Sequence, residues 1–304
     1  MTMSTERIFH PDAPQGIQPP AVHTHLPRFG LIVVGDEILS GRRQDSHVPK
    51  MIELLGERGL ALSYVHMLGD NRTQLTQLLR QVLASGDVVM CCGGIGATPD
   101  DHTRQAAAAA AGVTLALHPV ARDLIEQRMQ AMAAEKGEAF DATRADNVQR
   151  LQMAMLPATA EIIPNPFNQI AGFSVGHAHF FPGFPVMAHP MIAWVLDHFY
   201  AQWQRTRDWV EHALILPNAS EAVLTPLMEN LEQRWPDIKI FSLPSVHHPV
   251  HGPHIELGVK GPQTAVEQAF AHLQKTLNDM QQRFVVAKNS MGNNPYFRDS
   301  SRSP

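Results

Sequence analysis

Two cysteines in 304 residues, Cys91 and Cys92, exclude a disulfide framework. Adjacent thiols are too close for an ordinary bridge, and such sparse use fits a reducing compartment. They are expected to pack as small apolar residues. Positive charge is also in short supply: 24 Lys and Arg stand against 29 Asp and Glu, a net charge of −5. That balance offers no extended basic face, which argues against duplex nucleic acid or an anionic membrane as the main partner. No apolar run approaches the roughly 20 residues that span a bilayer. The N-terminus lacks the basic-then-apolar pattern of a secretory signal. The cytoplasm is the expected location and a small molecule the expected partner.

Several catalytic signatures are missing as well. No G-x-x-x-x-G-K-[ST] lysine is present, and after Gly94-x-Gly96 the chain reads Pro99 where a dinucleotide fingerprint would have its third small residue. Asp197 and His198 have no nearby serine on a recognisable elbow, which removes support for a Ser-His-Asp hydrolase. Internal repeats and heptad arrays are absent too.

What is present is an alternation of strands and helices. "FGLIVVG" is a short β-branched run suited to a strand buried on both faces. "SHVPKMIELLGERG" follows as a helix with Val48, Met51, Ile52, Leu54 and Leu55 on its apolar side and Gly59 as its stop. "ALSYVHM" is a second strand. "NRTQLTQLLRQVLASG" places Leu75, Leu78, Leu79, Val82 and Leu83 on one helical stripe. "DVVMC" is the third strand, and the alanine run 106–111 opens a helix that can approach the sheet closely. This grammar predicts a parallel sheet with right-handed crossovers.

Further on, "HPVARDLIEQRMQAMAAEKG" and "ADNVQRLQMAMLP" are expected helices. "AEIIPNP", "AGFSVG" and "HAHFFPG" are expected strands of a meander or hairpin, and "PVMAHPMIAWVLDHFYAQW" returns as a helix. A boundary is expected near Arg205 to Arg207. Beyond it the order strand, helix, strand, strand, helix predicts a small α+β domain. Length agrees with two domains, with 44% hydrophobic and 17% charged residues as in ordinary globular chains. The expected division is a disordered tail over 1–27, an α/β domain over 28–204, a small domain over 205–286 and a second tail over 287–304.

Ligands of open parallel sheets bind outside the carboxyl ends of the strands, and here every exit carries acid. The first leaves as "GDEILSG" with Gly35, Asp36 and Glu37, and the second as "LGDN" with Asp70. The third leaves as "GGIGATPDDHT" with Gly93, Gly94, Gly96, Thr98, Asp100, Asp101 and Thr103. A glycine loop before a helix presents free amides to an anion. Carboxylates alone would repel that anion, and a divalent cation such as Mg²⁺ resolves the conflict because it takes one or two carboxylates together with phosphate oxygens. Mn²⁺ and Co²⁺ meet the same description. A second reading stays open: the glycines make only a tight turn, and Asp70 and Asp101 cap helices. Asn71 and Gln74 have capping-box spacing. In "HHPVHGPH", His247, His248, His251 and His254 stand as a transition-metal candidate on composition alone.

The stretches "GLIVVGDEILSGRRQDSH", "VHMLGDN" and "VVMCCGGIGATPDDHTRQAAAAAAG" resemble the molybdopterin-binding, MoaB/Mog-like domain family found in CinA (competence/damage-inducible) proteins. "LQMAMLP", "IIPNP", "AGFSV" and "FFPGFP" continue the resemblance, and His212 to Phe284 is similar to that group's KH-like module. The resemblance does not extend to a nicotinamide-nucleotide amidohydrolase domain, and that activity is not carried over. It implies a three-layer α/β sandwich that self-associates as a dimer or trimer, with a pocket for a pterin phosphate or a nucleotide diphosphate. Related domains serve molybdenum insertion into adenylated molybdopterin or metal-dependent cleavage of ADP-ribose or FAD-like compounds; the expected function here is metal-dependent phosphoanhydride cleavage, and the alternative is a non-catalytic molybdopterin- or nucleotide-binding protein of molybdenum-cofactor biosynthesis.

On that resemblance the expected catalytic residues are Asp36, Asp70 and Asp101, with Asp70 and Asp101 positioning the cation. Gly35, Glu37, Gly93, Gly94, Gly96, Thr98, Asp100 and Thr103 are the expected ligand-binding residues. The amides of Gly94 and Gly96 with Thr103 Oγ1 would hold a phosphate, and Asp36 or Glu37 would orient water or contact a ribose hydroxyl. Arg72, Arg104 and Arg150 are the cations available to a leaving phosphate. Asp36 and Glu37 stand where related domains carry a serine-aspartate pair. Two stretches depart from the usual pattern: "IAGF" replaces "APGF", and "FPGFPVM" replaces "LPGVPSE".

Overall fold

The structure is a computed structural model that describes residues 26–204 and 209–287. The tails expected over 1–27 and 287–304 fall almost wholly outside the described residues. Contacts divide the chain into two compact units that part between Gln204 and Arg205.

The first unit runs β1 (Phe29–Val34), α1 (Asp36–Leu39), α2 (His47–Glu57), β2 (Leu62–Leu68), α3 (Arg72–Ser85), β3 (Val88–Cys92) and α4 (Thr103–Ala111). It continues with β4 (Leu115–Leu117), α5 (Pro119–Glu135), α6 (Ala145–Leu151), β5 (Met155–Pro157), β6 (Glu161–Ile163), β7 (Gly172–Val175), β8 (Ala178–Phe181) and α7 (Pro185–Phe199). Six strands form one sheet in the order β2-β1-β3-β8-β7-β6. The pairs β2–β1, β1–β3 and β3–β8 are parallel, while β8–β7 and β7–β6 are antiparallel.

Every residue of β1 and β3 is buried, as their uninterrupted apolar runs require. Alternation then divides the core. Ile32, Val34, Val89 and Cys91 face one side, where they meet Leu75, Leu79 and Val82 of α3, Ala106 and Ala107 of α4, and Ile125 and Met129 of α5. Leu31, Val33, Val88, Met90 and Cys92 face the other, against Met51, Leu54 and Leu55 of α2 and Met191, Ile192, Val195 and Leu196 of α7. Helices on both faces of a mostly parallel sheet make a three-layer α/β sandwich.

Three details differ from the sequence reading. Ile52 is 53% exposed, because the buried stripe of α2 passes through His47, Met51, Leu54 and Leu55 instead. The helix expected over 145–157 stops at Leu151, and after a short 3₁₀ turn Met155–Pro157 pairs antiparallel with Leu115–Leu117. Finally, β6, β7 and β8 form the expected meander, and β8 also joins β3 in parallel, a pairing outside the sequence reading that makes these strands part of the main sheet.

The second unit contains β9 (Trp209–Pro217), α8 (Glu221–Arg234), β10 (Lys239–Ser245), β11 (His254–Pro262), α9 (Gln263–Asp279) and β12 (Val285–Val286). Its antiparallel sheet has the order β10-β11-β9-β12. Leu224, Leu227 and Leu231 of α8 and Val266, Ala269, Leu273 and Leu277 of α9 pack with Leu214, Leu216, Ile255, Leu257 and Val259. No helix among the described residues is long and apolar enough to cross a membrane.

Candidate functional site

The exits of β1, β2 and β3 open on one cavity of about 500 Å³, at the sheet edge where open parallel sheets bind ligands. Its polar wall is the loop from Gly93 to Asp101. Gly93 N–H donates to Phe181 O at 3.0 Å, Thr103 N–H to Gly94 O at 3.0 Å, and Thr103 Oγ1 to Gly93 O at 2.9 Å. Gly94 sits at φ +67°, where a side chain would also strike Thr103 Oγ1, so no other residue fits without strain. The loop closes on itself through Asp101, whose Oδ2 accepts from Thr98 N–H at 2.8 Å and from Thr98 Oγ1. A Cβ at Gly96 would stand 2.5 Å from that carboxylate. Among the described residues, the amides of Gly94, Ile95, Gly96 and Ala97 donate to no protein acceptor.

At the exits of β1 and β2, Asp36 N–H donates to Asp70 Oδ2 at 3.0 Å and Asp70 N–H to Asp36 Oδ1 at 3.2 Å. This exchange ties the β1 exit to the β2 exit, beside a Gly35 N–H that donates to Leu68 O at 2.9 Å. Burial raises the Asp70 carboxyl above the usual carboxylate value. The Asp36 amide opposes that shift, and the charges of Asp36, Asp100 and Glu37 add to it. No ion pair among the described residues includes Asp36, Glu37, Asp70, Asp100 or Asp101. Asp100 is exposed and its carboxyl lies below its ordinary value, chiefly through the neighbouring Thr98 side chain.

Of the residues expected at the site, Glu37, Asp70, Gly93, Gly94, Gly96, Thr98, Asp100 and Asp101 line the cavity. Gly35, Asp36 and Thr103 do not; they hold its walls. Thr103 is fully buried, and its hydroxyl donates to Gly93 O. The phosphate contact expected of Thr103 Oγ1 is corrected to a brace inside the loop. Nor do Asp70 and Asp101 cap helices through their side chains: Asn71 Oδ1 accepts from Gln74 N–H at 3.0 Å and caps α3. Among the described residues, no group of three or more His, Cys, Asp or Glu side chains is arranged to hold a metal ion. The fit to a divalent cation therefore rests on two carboxylates at most, and Asp100 is the loop acid whose charge acts on Asp70.

Sequence reasoning missed several lining residues. His47 is buried at the first position of α2, with Nε2 3.2 Å from Gly183 O, and burial lowers its pKa. Asp45, which accepts from the amides of His47 and Val48 at 3.0 and 2.9 Å, was the local signal that a helix starts there. Ile38, Met153, Leu156, Ile170, Phe173, Phe184 and Met187 supply an apolar wall. Arg104, one of the three cations expected to be available to a leaving phosphate, is buried. Arg150 is spent on Asp146 at 2.7 Å, and Arg72 is exposed at the start of α3. In the second unit, the rings of His248, His251 and His254 contact one another at 4.9 to 5.7 Å. His248 Nδ1 accepts from the amides of Val250 and His251, which spends it on a turn.

The first unit is thus a three-layer α/β domain with a cavity, lined by loop residues whose amides meet no protein acceptor among the described residues, at the carboxyl edge of its parallel strands. The chain belongs to the family described as a probable molybdopterin binding domain, whose profile matches residues 30–201. It is similar to the CinA-like protein of Citrifermentans bemidjiense, 31% identical over 211 residues, which cover 66% of this chain and 47% of that one. It is also similar to the CinA-like protein of Escherichia coli O17:K52:H18, 32% identical over 145 residues, or 48% and 34% of the two chains. The chain thus spans less than half the length of these relatives. Among solved structures it resembles the protein CinA with unknown function from Thermoplasma acidophilum, at 24% identity and a TM-score of 0.48, covering 57% of this chain and 98% of that one.

Proposed function

We propose that the cavity binds a phosphorylated pterin or nucleotide as part of molybdenum-cofactor chemistry. The observation that carries this reading is the run of amides from Gly94 to Ala97 without protein acceptors among the described residues, in residues that line the cavity together with apolar side chains. Amides in that state are pre-oriented for phosphate oxygens, and the apolar wall suits a flat ring. Thermal-shift and calorimetric titrations with pterin phosphates, AMP, ADP and ADP-ribose test it. A ligand at about 100 times its Kd adds about 2.7 kcal/mol of stability. Absence of any shift with both ligand classes defeats the reading.

A second reading adds turnover: metal-dependent cleavage of a phosphoanhydride such as that of ADP-ribose or FAD. It is favoured by the crowd of Asp36, Glu37, Asp70 and Asp100, none of which joins an ion pair among the described residues. Asp70 with Asp100 or Asp101 would hold a divalent cation, which supplies charge neutralisation at phosphate oxygens when bound. The loop amides would fix one phosphate, while Asp36 or Glu37 orients water or meets a ribose hydroxyl. Incubation with Mg²⁺, Mn²⁺ or Co²⁺ should release AMP from ADP-ribose. Binding without product, equal in wild type and Asp70→Asn, leaves only the first reading standing.

A further inference from the structure

Arg104 stands on the first turn of α4 with 4% of its surface exposed. Its Nη2 donates to Gly96 O at 2.6 Å, and its Nη1 to the carbonyl oxygens of Gln152 and, at 3.5 Å, Met155. Its buried Nε has no partner. No carboxylate lies within ion-pair distance of it among the described residues. Burial lowers its pKa, and the charge of Asp101 opposes that, but Asp101 Oδ2 is committed to Thr98.

A guanidinium in this position carries a large desolvation cost unless something answers its charge. Three carbonyl bonds satisfy its donors in part and leave its charge unanswered. Bracing the Gly96 loop against residues 152–155 needs donors only, and a neutral amide would supply them. The surplus is a positive charge on the wall of the cavity, one residue from the start of α4, beside the unfilled loop amides.

We propose that Arg104 is a positioning residue that selects ligands by charge: its buried cation is answered by a doubly charged phosphate or a diphosphate seated on the Gly94–Ala97 amides. Arg104 and residues 94–97 line the same cavity, and the Nη2 bond to Gly96 O holds the guanidinium beside the loop. The inference rests on the phosphate-binding reading above and adds to it the charge of the ligand.

Inorganic pyrophosphate, ADP and a phosphate monoester with its singly charged methyl ester are the probes, read by calorimetry on the full chain. Wild type should bind the doubly charged monoester at least tenfold tighter than its methyl ester, about 1.4 kcal/mol. Arg104→Gln keeps amide donors and removes charge, and should weaken pyrophosphate binding about tenfold or more. Arg104→Lys keeps charge with fewer donors and should lose clearly less pyrophosphate affinity than Arg104→Gln. Equal affinity for ester and monoester overturns the proposal in wild type alone, even where a variant misfolds. Equal losses in Lys and Gln variants reduce Arg104 to a brace. Wild type that binds neither pyrophosphate nor ADP fails the parent reading itself, a distinct outcome.

Discussion

Asp36 and Asp70 hold each other by their backbones, each carboxylate accepting the other's amide at 3.0 and 3.2 Å. The exchange fixes two strand exits but places two negative groups side by side. Burial, then the charges of Asp36, Asp100 and Glu37, raise the Asp70 carboxyl above its usual value, against the pull of the Asp36 amide. A carboxyl that keeps its proton to higher pH in the fold than in the unfolded chain stabilises the fold at low pH. That contribution is lost as pH rises through the folded pKa.

Ionised Asp70 therefore costs stability at neutral pH. Asp70→Asn retains an oxygen for the Asp36 amide and removes the charge. Its melting temperature at pH 7 should exceed that of wild type by about 2–4 °C for each kcal/mol relieved, and the gap should narrow as pH falls toward 4. Mg²⁺ should raise the wild-type value more than the variant's. A variant less stable than wild type at both pH values would show that the hydrogen bond outweighs the charge.

Gly94 combines a left-handed φ of +67° with direct contact to Thr103 Oγ1. Gly94→Ala should cost about 1–2 kcal/mol for the backbone alone, and more once Thr103 is displaced, with ligand-induced thermal shifts lost. Gly41→Ala is the control, because Gly41 shares the sign of φ, at +72°, and has open space around it. Equal effects of the two substitutions would reduce the loop's requirement to backbone strain.

The sandwich was legible because β1 and β3 are unbroken apolar runs and because Leu75, Leu79 and Val82 repeat at helical spacing. The acids at three strand exits were legible for the same topological reason. Less could be read where a feature depends on which way a short segment turns. Two three-residue strands, Leu115–Leu117 and Met155–Pro157, are too brief for a period to show. Asp100 and Asp101 are neighbours in sequence, yet one acts on Asp70 and the other closes a turn. Arg104 follows a run of polar residues and looks solvated, yet it is buried, with its guanidinium on the carbonyl oxygens of Gly96, Gln152 and Met155.

Cys91 and Cys92 are both buried and free. Burial alone pushes the Cys91 thiol far up, and burial leads the same shift at Cys92. Thiolate is the reactive form, so neither should react with an aromatic disulfide reagent in the native protein at pH 8. Both should titrate after denaturation in guanidinium. Fast native release of one thiol equivalent would place a cysteine at the surface.

Inside the sheet, Ser174 Oγ lies 2.7 Å from His179 Nδ1, and His179 Nε2 lies 2.7 Å from Tyr200 Oη. Burial first, then the charge of His177, lowers the His179 pKa to about 3. Unfolding returns it toward its ordinary value of 6.5, so the unfolded chain binds the extra proton between those limits. Stability from neutral His179 is complete above the unfolded value and is lost as pH falls toward the folded one. The steepest loss is about 1.4 kcal/mol per pH unit. His179→Gln keeps a donor and an acceptor but cannot titrate. It should be less stable than wild type at pH 7, yet lose stability less steeply between pH 6 and 4, as read from urea midpoints at each pH. Carboxylates titrate in both proteins, so the difference in slope isolates the imidazole. Tyr200→Phe strands one buried ring nitrogen and should cost about 1–3 kcal/mol. Parallel pH profiles for wild type and His179→Gln would mean that the buried ring is already charged in the fold, with Ser174 and Tyr200 as its acceptors.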